Sequence, residues 1–407
     1  MTTALAPAPP ITSAVPATMR QLETELNATF FERREAIRTI LITLLAKQHG
    51  FILGPPGTAK SALLEAICRS IVGGKYWRIL LDTQMGKEEV FGQIDQGEFL
   101  RSSQWGRDVT DTFADCHVAL LDEIGNTGPS VINPMLTALE ERRFKPNGHW
   151  INLPLLSAFG ASNFMLDERM IAAWDRFMVR FSVDGIAEDA NFMALLRQSS
   201  GQLPRASSIS TTIALADLQH AIDVEVPAVL MTEGVLDSMR QLRSDLRAEQ
   251  VRPSDRRWAK SVDLLKASAY LDGRSSVDED DMQILRDVLW DVPEQYTLVE
   301  RKVLATTSPM TRIAMDIAAQ LDEITAELEA RKGKSVAERA AYGGTAQYEA
   351  GEISKKLEQA FAQATAAGRN TSRLETVREQ LFRTRVDIYV EAMNTPRERA
   401  ERMVAQS

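Results

Sequence analysis

Apolar positions recur in two patterns along the first half of the chain. Leu22, Leu26, Phe30, Phe31, Ile37, Ile40, Leu41, Leu44 and Leu45 return at mixed three- and four-residue spacing, which predicts one helix over about residues 21–48, stopped by Gly50. Short unbroken apolar runs follow at 51–53, 78–81, 118–121, 155–160 and 177–183, each short enough for a buried strand. Between them, 59–73 and 130–142 read as helices, the first turning Leu63, Leu64 and Ile67 inward. This alternation predicts an α/β fold with a mostly parallel sheet covered on both faces. Two stretches break the rhythm. Residues 82–106 are irregular and glycine-rich, with Val90 and Phe91 as apolar anchors, and 144–153 reads as a hairpin turning at Asn147-Gly148.

After Gly185 the strand-like runs stop. Residues 186–305 read as mostly helical, with a polar link near 199–212, clear helices over 229–249 and 258–270, and Pro253 and Pro293 as starts or breaks. A small helical lid is expected there. The tail from Pro309 is poor in aromatics and rich in Ala, Glu, Gln, Lys and Arg. Its apolar residues fall into two sets, Ile313 to Leu328 and Leu357 to Ile388, with 343–351 as an interruption, so two or three antiparallel long helices are expected. The division predicted is a flexible leader (1–20), a nucleotide-binding core (21–185), a helical lid (186–305) and a helical C-terminal domain (306–407).

Composition adds limits. At 407 residues, with 44% hydrophobic and 25% charged positions, the chain fits a soluble protein of two or three domains. A net charge of −9 gives nucleic acid no broad attraction, though it leaves room for a local basic strip. Cys68 and Cys116 both fall in apolar stretches and suit buried thiols in a reducing compartment. Residues 1–19 lack the basic start and apolar run of a signal peptide, and no stretch has the length of a membrane span, so a cytoplasmic location is expected.

The chemistry is concentrated in the core. Gly54-Pro55-Pro56-Gly57-Thr58-Ala59-Lys60-Ser61 follows a strand and opens a helix, the context in which backbone N–H groups cradle phosphates. Lys60 is expected on the outer phosphates and the Ser61 hydroxyl on Mg²⁺. The general motif has Gly where this chain has Ala59, a mild departure if Ala59 takes helical dihedrals. Asp122 and Glu123 end the apolar run 118–121; Asp122 suits Mg²⁺, and Glu123 suits orienting and deprotonating the attacking water. A bare Asp-Glu pair is more often a solvated helix start, but its place behind this strand favours the site. Asn163, after the run 155–160, can hydrogen-bond water and terminal phosphate, or cap the next helix. Arg176, before the last strand, can meet developing charge in a neighbouring subunit's site, or pair with Asp175; Arg180 is a second candidate. Arg256 and Arg257 begin a lid helix, from which one could reach back to the nucleotide, and both also suit ordinary caps and salt bridges.

Together these motifs resemble the MoxR family of AAA+ ATPases, closest to its RavA branch, over roughly residues 21–305. Gly54 to Ser61, including Ala59, matches the family's form. So do Glu89-Val90-Phe91-Gly92, Leu120 to Ile124, Asn133 to Leu136 with Leu139 to Arg142, Ala161-Ser162-Asn163, Asp175-Arg176-Phe177 and Ser254 to Trp258. The resemblance implies that Asn163 is the first sensor, Arg176 a trans-acting arginine finger and Arg256 the second sensor. It implies that 82–107 and 144–153 are insertions facing a pore or one ring face, where Phe99, Trp105 and Trp150 could touch substrate or pack their own insertions. It also implies ATP and Mg²⁺, a homo-hexameric ring, a partner with a von Willebrand factor A domain and a protein client to be remodelled. The small β-rich domain of the RavA branch has no counterpart in the 343–351 stretch. A DNA-directed motor or loader, a Rubisco-activating or gas-vesicle-associated relative, and a slowly hydrolysing scaffold are the competing functions. The acidic balance counts against the first.

Overall fold

Five of the apolar runs become strands: β1 (Gly50–Leu53), β2 (Tyr76–Leu80), β3 (Val118–Asp122), β4 (Ser157–Ser162) and β5 (Val179–Ser182). They pair in parallel in the order β5-β1-β4-β3-β2. The structure is a computed structural model that describes residues 13–97, 100, 106–145, 150–163, 171–201, 209–306, 309–331, 333–366 and 371–405. The chain divides into two units, Met1–Glu300 and Arg301–Ser407.

In the first unit the sheet is accompanied by α1 (Val15–Thr29), α2 (Arg34–Leu45), α3 (Lys60–Arg69), α4 (Pro129–Glu141) and α5 (Ile171–Arg176). The lid segment contributes α6 (Asp189–Ser199), α7 (Glu233–Ala248) and α8 (Asp255–Leu271). Parallel strands covered on both faces are buried without alternation, as the central β3 and β4 are up to Asp122 at the end of β3. The single helix expected over 21–48 is two. Phe30 is extended after α1, Glu32 takes a left-handed φ of 55°, and α2 restarts at Arg34. The break is held by tertiary bonds: the Glu32 carboxylate accepts from Ala187 N (2.8 Å), Glu188 N (3.0 Å) and Asn191 Nδ2 (2.9 Å). Part of the stretch expected to be a leader is helical: α1 begins at Val15 and buries Val15 and Met19. Pro16 in its first turn suits a helix start, where no intrahelical N–H is lost.

Strand pairing does not stop after Gly185: Ile213–Ala214 pairs in parallel with Ile71–Val72. The irregular 82–106 stretch contains the short helix Lys87–Phe91, which buries Val90 and Phe91, and Gln93–Asp95 pairs with Gly106–Asp108. The hairpin is present as Arg143–Phe144 against Ile151–Asn152; its Asn147-Gly148 turn lies outside the described residues.

The second unit is helical: α9 (Pro309–Ala330), α10 (Val336–Ala366), α11 (Ser372–Asp387) and α12 (Arg397–Ala405). The interruption expected at 343–351 does not occur, since α10 runs straight through it. Gly343 lets another segment come close, for a Cβ there would lie 2.7 Å from the Ala392 Cβ. Ile317, Leu321, Ile324 and Leu328 share a core with Leu357, Leu374, Val377, Leu381 and Ile388, which joins the two expected apolar sides; Val386 packs apart, with Ala400 and Val404.

Cys68 and Cys116 are both buried free thiols, and burial pushes both up, Cys116 to about 12. Among the described residues, no helix is long and apolar enough to cross a membrane.

His49 joins three elements of the core. Its Nδ1 accepts from Ala158 N of β4 (3.0 Å), which leaves the proton on Nε2 to donate to Leu139 O of α4 (2.9 Å). Burial, then the nearby Arg142 charge, pulls its pKa from 6.5 down to about 3. The fold therefore favours the neutral ring; this stabilisation is complete above pH 6.5 and is lost as pH falls towards 3. We expect stability to fall by up to about 1.4 kcal/mol per pH unit on that limb. Urea unfolding across the limb should show a shallower slope in His49→Gln.

Candidate functional site

The sheet register gathers the predicted chemistry along one edge. Leu53 lies opposite Ser162 on one side and Ser182 on the other, while Asp122 lies opposite Ala161. The chain therefore leaves β1 into Gly54, β3 into Glu123 and β4 into Asn163 at neighbouring carboxyl ends. β1 sits between β4 and β5, where the crossovers diverge and leave a crevice outside the strand ends.

The loop is built by backbone constraint. Gly54 N donates to Ser162 O (3.2 Å), and a Cβ on Gly54 would lie 2.1 Å from Val183 O, so only glycine fits between the ends of β4 and β5. Thr58 is buried and its hydroxyl closes the turn on Pro55 O (3.0 Å), while Pro55, Pro56 and Gly57 are exposed. Arg33, also buried, braces the loop from behind, donating to Thr58 O (3.3 Å) and Asp184 O (2.6 Å). Ala59 is the N-cap of α3 and carries no oxygen to cap it, which leaves first-turn N–H groups of α3 for an anion. The condition attached to Ala59 is not met: its φ of 67° and ψ of 17° are left-handed, not helical. An L-residue there costs about 1–2 kcal/mol, which explains why the general motif has glycine.

Lys60 and Ser61 open α3, both half-buried. The Lys60 ammonium folds back on the Gly54 and Pro55 carbonyls. Partial burial lowers its pKa, and the facing charges of Asp122 and Glu123 oppose that shift, so the loop lysine and both acids share one neighbourhood. Asp122 is the last residue of β3, and its Oδ2 accepts from Arg78 Nη2 of β2 (2.9 Å). Glu123 takes a left-handed φ of 55° immediately after the strand, before the turn Ile124–Asn126 anchored by buried Ile124. Strain of this kind in a non-glycine residue gathers at functional sites. Asn163 Nδ2 donates to Glu123 Oε1 at 2.8 Å, so these two candidate site residues meet directly.

The donor set suits Mg²⁺. Among the described residues, no group of three or more His, Cys, Asp or Glu could hold a metal by itself. Mg²⁺ asks for less, one or two protein oxygens plus substrate phosphates and water. Asp122 already keeps a cationic group, the Arg78 guanidinium, against its carboxylate.

The remaining arginines sit elsewhere. Arg176 ends α5 just before β5, at the amino edge of the sheet, roughly 15 Å from the loop edge by strand length. It pairs with Glu140 (2.8 Å), near the far end of α4. Arg256 pairs with the same Glu140 (2.9 Å) and with Asp175 (3.7 Å), so it does not reach back to the phosphate loop of its own chain. Arg180 is not a finger. Its side chain is fully buried, it lies 4.3 Å over the Trp174 ring, and it donates to the carbonyls of Phe177, Trp174 and Trp290. With Arg257, which pairs with Asp291 at 2.5 Å, it fastens the lid to β5. Burial and the Arg257 charge pull Arg180 down to about 8.

Trp150 is exposed, with Arg143 4.2 Å and Lys145 5.5 Å from its ring; Phe99 and Trp105 lie outside the described residues. Sequence reasoning missed Arg33, Arg78 and Glu140 as members of the site. Strand alternation could have found Arg78, which shares a face with Asp122; Arg33 carried no local signal.

A five-stranded parallel sheet in this order, with an acid pair and a polar sensor beside a phosphate loop and a helical lid behind, defines an AAA+ ATPase fold. Residues 17–222 match the family model described as the MoxR domain in the MoxR-vWA-beta-propeller ternary systems, and 234–303 match an AAA lid domain. The chain belongs to the MoxR family of AAA+ ATPases. It is 30% identical over 316 residues to an uncharacterised protein of Methanocaldococcus jannaschii, covering 76% of this chain and 82% of that one. It is also similar to Protein MoxR of Paracoccus denitrificans (27% identity, 44% of this chain and 54% of that one) and to Chaperone MoxR1 of Mycobacterium tuberculosis (24%, 48% and 52%). A crystal structure from Cytophaga hutchinsonii, provisionally described as an ATPase, shares the fold with a TM-score of 0.58 at 15% identity, over 72% of this chain and 95% of that one.

The strain at Ala59 is testable. Ala59→Gly removes a left-handed penalty of about 1–2 kcal/mol and returns about 0.4–1 kcal/mol to the unfolded chain as entropy. Urea unfolding should show a net gain of up to about 1.6 kcal/mol; a loss of about 1 kcal/mol would contradict the left-handed assignment.

Proposed function

We propose that this chain hydrolyses ATP in a site shared between neighbouring copies and uses the energy to remodel a protein client. The observation that carries the proposal is the Asn163–Glu123 hydrogen bond of 2.8 Å beside the 54–61 loop. An acid held by an amide at the end of a buried strand is ready to take a proton from water once a terminal phosphate lies in the loop. Gly54 to Ser61 would hold the phosphates, with Lys60 turning from its own loop carbonyls to the outer oxygens. Ser61 and Asp122 would hold Mg²⁺, which when bound neutralises charge on the phosphate oxygens.

Arg176 and Arg256 would act on the nucleotide of the next copy. Their support is the shared Glu140, at the sheet edge opposite their own loop. This arrangement calls for a closed ring, for which we propose a homo-hexamer in the cytoplasm. The matched model's description supports a partner with a von Willebrand factor A domain, alongside a β-propeller protein. The name Chaperone MoxR1, borne by one relative, supports a protein client. A RavA-like branch without its small β-rich domain remains part of the proposal; its support is the sequence motifs and the helical character of the described residues after Arg301.

Glu123→Gln is expected to lower ATP turnover by about 10²-fold or more while fluorescent ATP still binds. Unchanged turnover would remove Glu123 from the reaction. Arg176→Ala is expected to lower turnover by about 10³-fold or more with ATP affinity unchanged, measured at a protein concentration at which the native chain assembles. Equal loss of affinity would place Arg176 in nucleotide binding instead.

A further inference from the structure

Arg78 lies outside the phosphate loop, the acid pair and the candidate sensors and finger, yet it holds a carboxylate oxygen of Asp122, the acid proposed above for Mg²⁺. β2 is the edge strand of the sheet, and Tyr76, Arg78 and Leu80 alternate onto one of its faces. Leu80 is opposite Asp122, so Asp122 projects from that same face and Arg78 stands on the diagonal, two residues back. The guanidinium crosses this diagonal to Asp122 Oδ2 at 2.9 Å. Its exposure is unequal to its partner's: the Arg78 side chain is 51% exposed and that of Asp122 16%. The carboxylate is fixed and largely covered, while the cation on it is wet and free to swing away.

The other nearby cation does not take this place. Lys60 feels the charges of Asp122 and Glu123, but its ammonium is bonded to the Gly54 and Pro55 carbonyls. Glu123 in turn is held by Asn163. Lys60, Asp122 and Glu123 therefore each have a protein partner, and the partner of Asp122 is Arg78.

We propose that Arg78 guards the metal site: it occupies the Asp122 carboxylate and must be displaced when Mg²⁺ arrives with the nucleotide. The exchange is one cation for another at a single carboxylate oxygen, with no change in the net charge required of Asp122. It sets a threshold, since Mg²⁺ must compete with an internal guanidinium. The inference rests on the ATPase reading above, through the assignment of Asp122 to Mg²⁺.

The test is a Mg²⁺ titration of the full chain with a fluorescent, non-hydrolysable ATP analogue, in the native protein, Arg78→Ala and Arg78→Lys. In Arg78→Ala the Mg²⁺ concentration at half-saturation is expected to fall about two- to fivefold, the scale of an exposed ion pair. Binding of the analogue without Mg²⁺ should be unchanged, and Arg78→Lys should stay near the native value. Because Arg78 is exposed on an edge strand, both variants are expected to fold, with unfolding midpoints compared as a control. An unchanged or raised half-saturation point in a folded Arg78→Ala protein would overturn the role of Arg78 alone. Failure of the native chain to bind the analogue with or without Mg²⁺ would overturn the ATPase reading, and this inference with it.

Discussion

The site depends on one constraint, the placing of β1 between β4 and β5 in parallel register. Leu53 is held against Ser162 and Ser182 at once, so the chain has no choice but to enter the phosphate loop where β4 and β5 also end. Gly54 is squeezed against Val183 O at that point. From there the rest follows by adjacency. β3 beside β4 delivers Asp122 and Glu123, β4 delivers Asn163, and β2 beside β3 delivers Arg78. A one-residue slip in any of these pairings would send every side chain to the opposite face and dissolve the constellation.

Strain and charge are concentrated where the register converges. Ala59 and Glu123 both adopt left-handed backbone, one at the end of the phosphate loop and the other just after β3. The apolar strands behind them are buried on both faces and supply the stability that tolerates such strain. Lys60, Asp122 and Glu123 each have an internal partner. Nucleotide binding in this scheme is a set of exchanges between prepared partners. At the opposite edge, Arg176 and Arg256 share one acid, Glu140, and Arg256 also pairs with Asp175. Arg180, buried between the rings of Trp174 and Trp290, fixes the lid to the sheet.

Most of the core was legible in the sequence because its signals are local. Buried parallel strands appear as short apolar runs, and the loop and acid pair are contiguous with them, so strand, loop, helix and acids could be placed without tertiary knowledge. What was missed depends on distant partners. The break at residues 30–33 is stabilised by Glu32 reaching residues 187–191, which no helical periodicity records. The glycines at 343–351 suggested a loop, but close packing of Gly343 against Ala392 makes a small residue useful inside a continuous helix. Arg180 was a second candidate beside Arg176, four residues away; its complete burial marks it as a lid fastener, whereas Arg176 is half-buried. Arg256 was legible as a lid arginine, but the edge it occupies was not.

The central claim is that a working site takes its loop and acids from one copy and its arginine from the next. Mixing Glu123→Gln protein with Arg176→Ala protein tests it most directly, by the ATP turnover of the mixture against each variant alone. If the site is shared, some interfaces pair an intact acid with an intact finger, and the mixture turns over ATP although neither variant does by itself. A mixture that assembles yet stays as inactive as its components would contradict the account.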